Sequence, residues 1–132
     1  MTSAIIDTHQ HLWDLDRFRL PWLEDLDALD RNFTLDDYAA ATDGLGVVGS
    51  VYMEVDVASD QRRDEVDYVC ALCADTANPM VGAIVSGRPG DSGFADWVRY
   101  LETSPAVKGV RQVLHVPDAA PGTCLQSNYI NS

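Results

Sequence analysis

His9-Gln10-His11 closes a short apolar run, Ala4-Ile5-Ile6-Asp7-Thr8. Successive residues of a strand point to opposite faces, so two histidines one residue apart share a face, and Asp7 is expected to face with them. Imidazole is the commonest protein ligand for a transition metal. An H-x-H pair at a strand end is therefore half of a metal site, or a pair of polarising donors beside a substrate. Two solvated histidines on a loop are the alternative.

Cys70 and Cys73 form a C-x-x-C, which invites zinc or redox chemistry. Val66, Val69, Cys70, Cys73 and Ala77, however, recur at three- and four-residue steps, the pattern of one apolar helix face. Free cysteine packs as a small hydrophobe. No second C-x-x-C completes a structural zinc site, and Cys124 stands alone. Core packing is the expectation for the pair.

The elements that must position the histidines repeat as a strand followed by a helix. Strands are expected at 4–7, 49–55, 80–86 and 107–115. The first is followed by a long segment, 9–33, rich in Trp, Asp and Leu. Thr34 reads as an N-cap with Asp37 three residues on, and the helix it opens stops at Gly44 or Gly46. A second helix, capped by Ser59 or Asp60, carries the cysteines and ends before Asn78-Pro79. A third spans about 92–103, with Phe94, Val98 and Leu101 on one face. Strands alternating with helices imply a parallel sheet with right-handed crossovers. No G-x-G-x-x-G or P-loop follows the first strand. A metal-binding cupin fits poorly, because that fold is all-β.

The chain has 132 residues, 46% of them hydrophobic, enough for one domain with a real core. Its 21 acids against 9 bases give a net charge of −12, which argues against nucleic acid and anionic membranes. No stretch approaches the ~20 apolar residues of a membrane span. No secretory signal is visible at the N-terminus, and an odd cysteine count argues against a disulfide framework. The expected location is cytoplasmic, and the expected partner a small molecule.

Ile5-Ile6-Asp7-Thr8-His9-Gln10-His11-Leu12-Trp13-Asp14 resembles the opening of amidohydrolase-related TIM-barrel proteins, in the branch of fuconolactonase-like and 2-pyrone-4,6-dicarboxylate lactonase-like hydrolases. Leu20-Pro21-Trp22-Leu23 is similar to that family's aromatic first loop. Gly49-Ser50-Val51-Tyr52-Met53-Glu54 resembles its second strand, and Val107-Lys108-Gly109-Val110-Arg111-Gln112-Val113-Leu114-His115 its fourth. The likeness runs to about Leu125 and implies an α/β fold of parallel (β/α) units: the N-terminal half of a TIM-type (β/α)8 barrel. Residues 1–132 then form one partial barrel domain of about four units, expected to be truncated. The family's later histidines, and the aspartate that usually shuttles the proton, have no counterpart here.

The resemblance implies a hydrolase acting on a lactone or related cyclic ester or amide. It gives His9 and His11 the catalytic and metal-binding roles. Zinc is the divalent metal expected; metal-independent action, with the imidazoles as donors, stays open. Two histidines are fewer than the three protein ligands typical of catalytic zinc. Arg111 is the substrate-binding candidate, because its planar fork holds a carboxylate bidentately and never loses its charge; an ion pair with one of the acids is the alternative. Glu54 is placed with it, able to meet metal or substrate, to cap a helix, or to remain solvated. His115 is expected as a loop histidine, with the site mouth as the alternative, and Trp13 and Trp22 could roof a pocket or pack in the core. A non-catalytic truncated half-barrel that self-associates through its open sheet edges, a homo-oligomer without turnover, is the competing class.

Overall fold

The computed structural model describes residues 3–24 and 26–114. Its strands are β1 (Ile5–Gln10), β2 (Val47–Met53), β3 (Met80–Ser86) and β4 (Val107–Arg111). The helices between them are α1 (Leu35–Thr42), α2 (Arg62–Ala74) and α3 (Phe94–Leu101). All neighbouring strands are parallel, in the order β1-β2-β3-β4. The alternation read from the sequence is thus the architecture observed. His115, Cys124 and the polar tail lie outside the described residues.

Local chemistry explains where elements begin and end. Asp37 Oδ2 accepts both the Thr34 N–H at 2.8 Å and the Thr34 hydroxyl at 3.0 Å, which fixes the start of α1. Gly44 and Gly46 then turn the chain with φ of 73° and 80°, conformations that glycine adopts without strain. β2 starts two residues earlier than expected and stops at Met53. The Val55 N–H leaves the ladder for Glu65 Oε1, 3.1 Å away. β1 is longer than expected: it continues through His9 to Gln10, which pairs with Tyr52.

The core lies between the sheet and the helices. Tyr52, Met80, Ala83 and Val85 of the sheet meet Val66 and Val69 of α2 and Leu101 of α3, all buried. Cys70 and Cys73 pack against this cluster as free thiols, and burial pushes both thiols up, the opposite of an activated thiolate. The long loop after β1 buries Leu12, Trp13, Phe18, Leu20 and Leu23. Trp13 donates its indole N–H to Arg31 O at 2.8 Å, and Trp22 donates to Val55 O at 2.6 Å. Both tryptophans therefore act as struts that pin the loop to the scaffold.

Apolar side chains from every strand stay exposed: Ile5, Ile6, Val48, Val81 and Val110, with Val48 at 62%. Among the described residues no helix is long and apolar enough to cross a membrane.

Candidate active site

The C-terminal ends of parallel strands are where α/β folds gather their chemistry. Here β1 delivers His9 and, one residue past its end, His11; β2 runs into Glu54; β4 ends on Arg111.

β1 is irregular at the site. Asp7 pairs with Ser50 and Gln10 with Tyr52, so three steps along β1 match two along β2. Such a bulge breaks strict alternation and re-aims side chains. Gln10 turns inward, buried, where Oε1 accepts the Ser50 hydroxyl at 2.8 Å. Asp7 does not join the histidine rings as its spacing suggested. Its Oδ2 accepts the Tyr38 hydroxyl of α1 at 2.9 Å, and its Oδ1 accepts the His9 backbone N–H at 3.0 Å. Burial and the Asp7 carboxylate push the Tyr38 phenol up to about 12.

The two rings meet as expected. His9 Nε2 and His11 Nε2 are 3.1 Å apart, with the ring planes at 79°. His11 Nδ1 donates to Met53 O at 2.9 Å. That bond leaves His11 Nε2 as the lone-pair nitrogen. Partial desolvation lowers the His11 pKa below 6.5; the charges of His9 and Arg111 lower it further, against the Met53 bond and Asp7. The neutral imidazole is the metal-binding form.

The pair fits a metal. Zinc–nitrogen bonds of about 2.0–2.1 Å in a tetrahedron set two ligand nitrogens about 3.3 Å apart. The observed separation is close to that, and a carbonyl on the far nitrogen of His11 is the usual support for a ligating imidazole. Among the described residues no group of three or more His, Cys, Asp or Glu assembles into a metal site, so His9 and His11 supply two ligands.

Glu54 and Arg111 come together beside the pair. Arg111 Nη1 lies 3.3 Å from Glu54 Oε1 and donates to Glu54 O at 3.1 Å. Glu54 Oε2 accepts the Asp56 N–H at 2.7 Å, with Asp56 at a positive φ of 50°. Glu54 is 1% exposed, whereas the Arg111 side chain is 31% exposed. Burial pushes the Glu54 carboxyl up to about 7, against the pull of the Asp56 N–H and Arg111.

Behind it lies a layer that sequence reasoning missed. Glu65, in the first turn of α2, is buried, and its Oε1 accepts the Tyr52 hydroxyl at 2.8 Å. Burial raises its pKa as well. The signal was present: Glu65 precedes Val69 by four residues and so shares its inward face.

A family model described as Amidohydrolase matches residues 6–125. Among solved structures the chain is similar to an amidohydrolase 2 from Bifidobacterium longum subsp. infantis. They are 36% identical over 64% of this chain and 33% of that one, with a TM-score of 0.53. It is also similar to an amidohydrolase from Burkholderia multivorans solved with bound zinc, at 22% identity, 89% of this chain, 39% of that one and a TM-score of 0.65. At that identity the likeness is one of fold. The chain thus spans about a third to two-fifths of the length of these proteins. No curated protein matches it.

Proposed function

Because the chain belongs to the amidohydrolase family, we propose that residues 1–132 form a four-unit part of an amidohydrolase-like (β/α) barrel that hydrolyses a lactone or a related cyclic ester or amide. The observation that carries this reading is the convergence of His9 Nε2 and His11 Nε2 at 3.1 Å at the strand end. His9 and His11 are the residues that would hold a divalent metal, and zinc is favoured because a protein of the same fold was solved with it. When bound, such an ion polarises a carbonyl oxygen and lowers the pKa of a coordinated water.

The chain's own groups have defined tasks. The Met53 carbonyl fixes the His11 tautomer. Partial desolvation, with the charges of His9 and Arg111, lowers the His11 pKa and favours the neutral ring, with its Nε2 lone pair available. Arg111 also offers a guanidinium to an anionic group of a small-molecule substrate, which orients the scissile carbonyl beside the imidazoles. The Trp13 and Trp22 struts pin the first loop to the scaffold through Arg31 O and Val55 O.

Zinc titrated by calorimetry tests the reading. Weak binding is expected, because two protein ligands are fewer than the usual three. Equal affinity in a His9→Ala/His11→Ala chain would remove the site. A lactone-hydrolysis assay on the same two proteins tests the reaction class. Little turnover is expected from the chain alone, with any activity lost in the double variant. Robust hydrolysis that survives the double substitution overturns the role given to the pair.

A further inference from the structure

Two successive carbonyls of one strand end organise the site. Met53 O takes the His11 Nδ1–H from the β1 side, and Glu54 O takes Arg111 Nη1 from the β4 side. Neighbouring backbone carbonyls of a strand point in opposite directions within the sheet plane. Consistently, the Glu54 N–H donates towards β3, to Ile84 O at 2.9 Å. β3 lies between β2 and β4, so Arg111 reaches across a whole strand, about 9–10 Å of sheet, to touch Glu54. Holding a long side chain in that pose costs rotamer freedom. The contact that offsets this cost is the buried Glu54 carboxyl at 3.3 Å.

On the reading that Arg111 belongs to the catalytic face, we infer that Glu54 is a positioning residue: its buried carboxyl and its carbonyl hold the Arg111 guanidinium at the end of β2, and it touches no substrate. At 1% exposure the carboxyl has no open face for a ligand. Its second oxygen is committed to the Asp56 N–H. A substrate carboxylate would be repelled by it and attracted by Arg111. Both contacts of Arg111 with Glu54 use Nη1, so the pair engages one arm of the fork.

Carbon-detected nitrogen relaxation of the Arg111 guanidinium at pH 8 reads this positioning without any ligand. In the wild-type chain it is expected to report a held side chain. In Glu54→Gln it is expected to show clearly greater fast mobility than in the wild type. An equally restrained guanidinium in the variant overturns the inference. If the backbone spectrum shows that Glu54→Gln does not fold, Glu54→Asp, which keeps the charge but shortens the reach by one methylene, takes its place with the same two outcomes.

Glutarate, titrated into the same proteins, supplies a readout that a purely structural carboxylate would not move. Glu54→Gln should weaken glutarate binding about tenfold, the lower end of what losing an outer partner costs a metal ligand. Tighter binding would mean that Glu54 competes with or repels the ligand at Arg111 more than it presents the guanidinium, which also overturns the inference. A wild-type chain that ignores glutarate sinks the carboxylate reading of Arg111, while loosening of Arg111 in the variant still supports the brace.

Discussion

His11 Nδ1 donates to the carbonyl oxygen of Met53 across 2.9 Å, and this one bond orders the protons of both histidines. With Nδ1 protonated, His11 Nε2 can only accept. His9 Nε2, 3.1 Å away, must then be the donor. Nitrogen NMR of the metal-free chain should show His11 protonated at Nδ1 and His9 at Nε2. Zinc should drive the His9 proton to Nδ1. The reverse assignment in the metal-free chain would refute this order.

The same imidazole should titrate low. Partial desolvation, with His9 and Arg111, holds the His11 pKa below 6.5. In the window below 6.5 the unfolded chain binds more protons than the folded one. The stability His11 contributes is therefore present above pH 6.5 and lost as the pH falls through its folded pKa. Arg111→Met removes one positive charge and should raise the midpoint. A midpoint at or above 6.5 in the wild type would show that desolvation does not dominate at His11.

Glu54 acts with the opposite sign. Its folded pKa of about 7 lies above the ordinary 4.5. Between those values the folded state holds the extra proton, so the stability this group contributes is full below pH 4.5 and lost as the pH rises through about 7. The loss is roughly 3 kcal/mol at ~1.36 kcal/mol per pKa unit. Glu54→Gln does not titrate, so denaturation of both proteins at pH 4.5 and pH 8 should show the variant gaining on the wild type. Parallel pH profiles would place the Glu54 pKa near its ordinary value.

Arg111→Lys keeps the charge and loses the planar fork. In a catalytically complete barrel, losing one charge-assisted contact should cost roughly 1.5–3 kcal/mol for a carboxylated lactone. That is about 10- to 150-fold in kcat/KM, with little change for a neutral lactone. An equal loss on both substrates, with a lowered Tm, would make Arg111 a structural partner only.

Gly87 follows β3, and its N–H donates to Arg111 O at 2.9 Å. A Cβ there would lie 2.7 Å from Val110 Cβ, an atom fixed by the β4 backbone. Gly87→Ala should therefore push β4 from β3, at about 1–3 kcal/mol by chemical denaturation. A stability within ~0.5 kcal/mol of wild type would show that β4 moves freely.

The element order was legible because each strand is a short apolar run and each helix shows an apolar face. The cap expected of Ser59 or Asp60 is not made, since those residues form a 3-10 turn and α2 opens after Gln61 with no side-chain cap. Thr34 with Asp37 marked a helix start that the hydrogen bonds reproduce. The shared direction of His9 and His11 was legible from spacing alone. The fate of Asp7 was not, because a bulge at the end of β1 changes its direction and no residue type announces it. The Arg111–Glu54 contact was hidden for a different reason. It spans 57 residues and two strand spacings, and only the sheet order brings its ends together. Periodicity reports which face a residue occupies; it does not report which distant partner waits there.

The sequential strand order also sets a schedule for synthesis. Every strand lies beside the one made just before it, so each β/α unit can dock on finished structure as it leaves the ribosome. Contacts between consecutive units keep loop closures shorter than any other strand order would, although a parallel sheet still pays for closures longer than a hairpin's. The anchor of His11 closes over 42 residues and that of Arg111 over 57. The imidazole pair is thus oriented as soon as β2 has emerged. The guanidinium joins two strands later, onto a β2 end that is already in place to receive it.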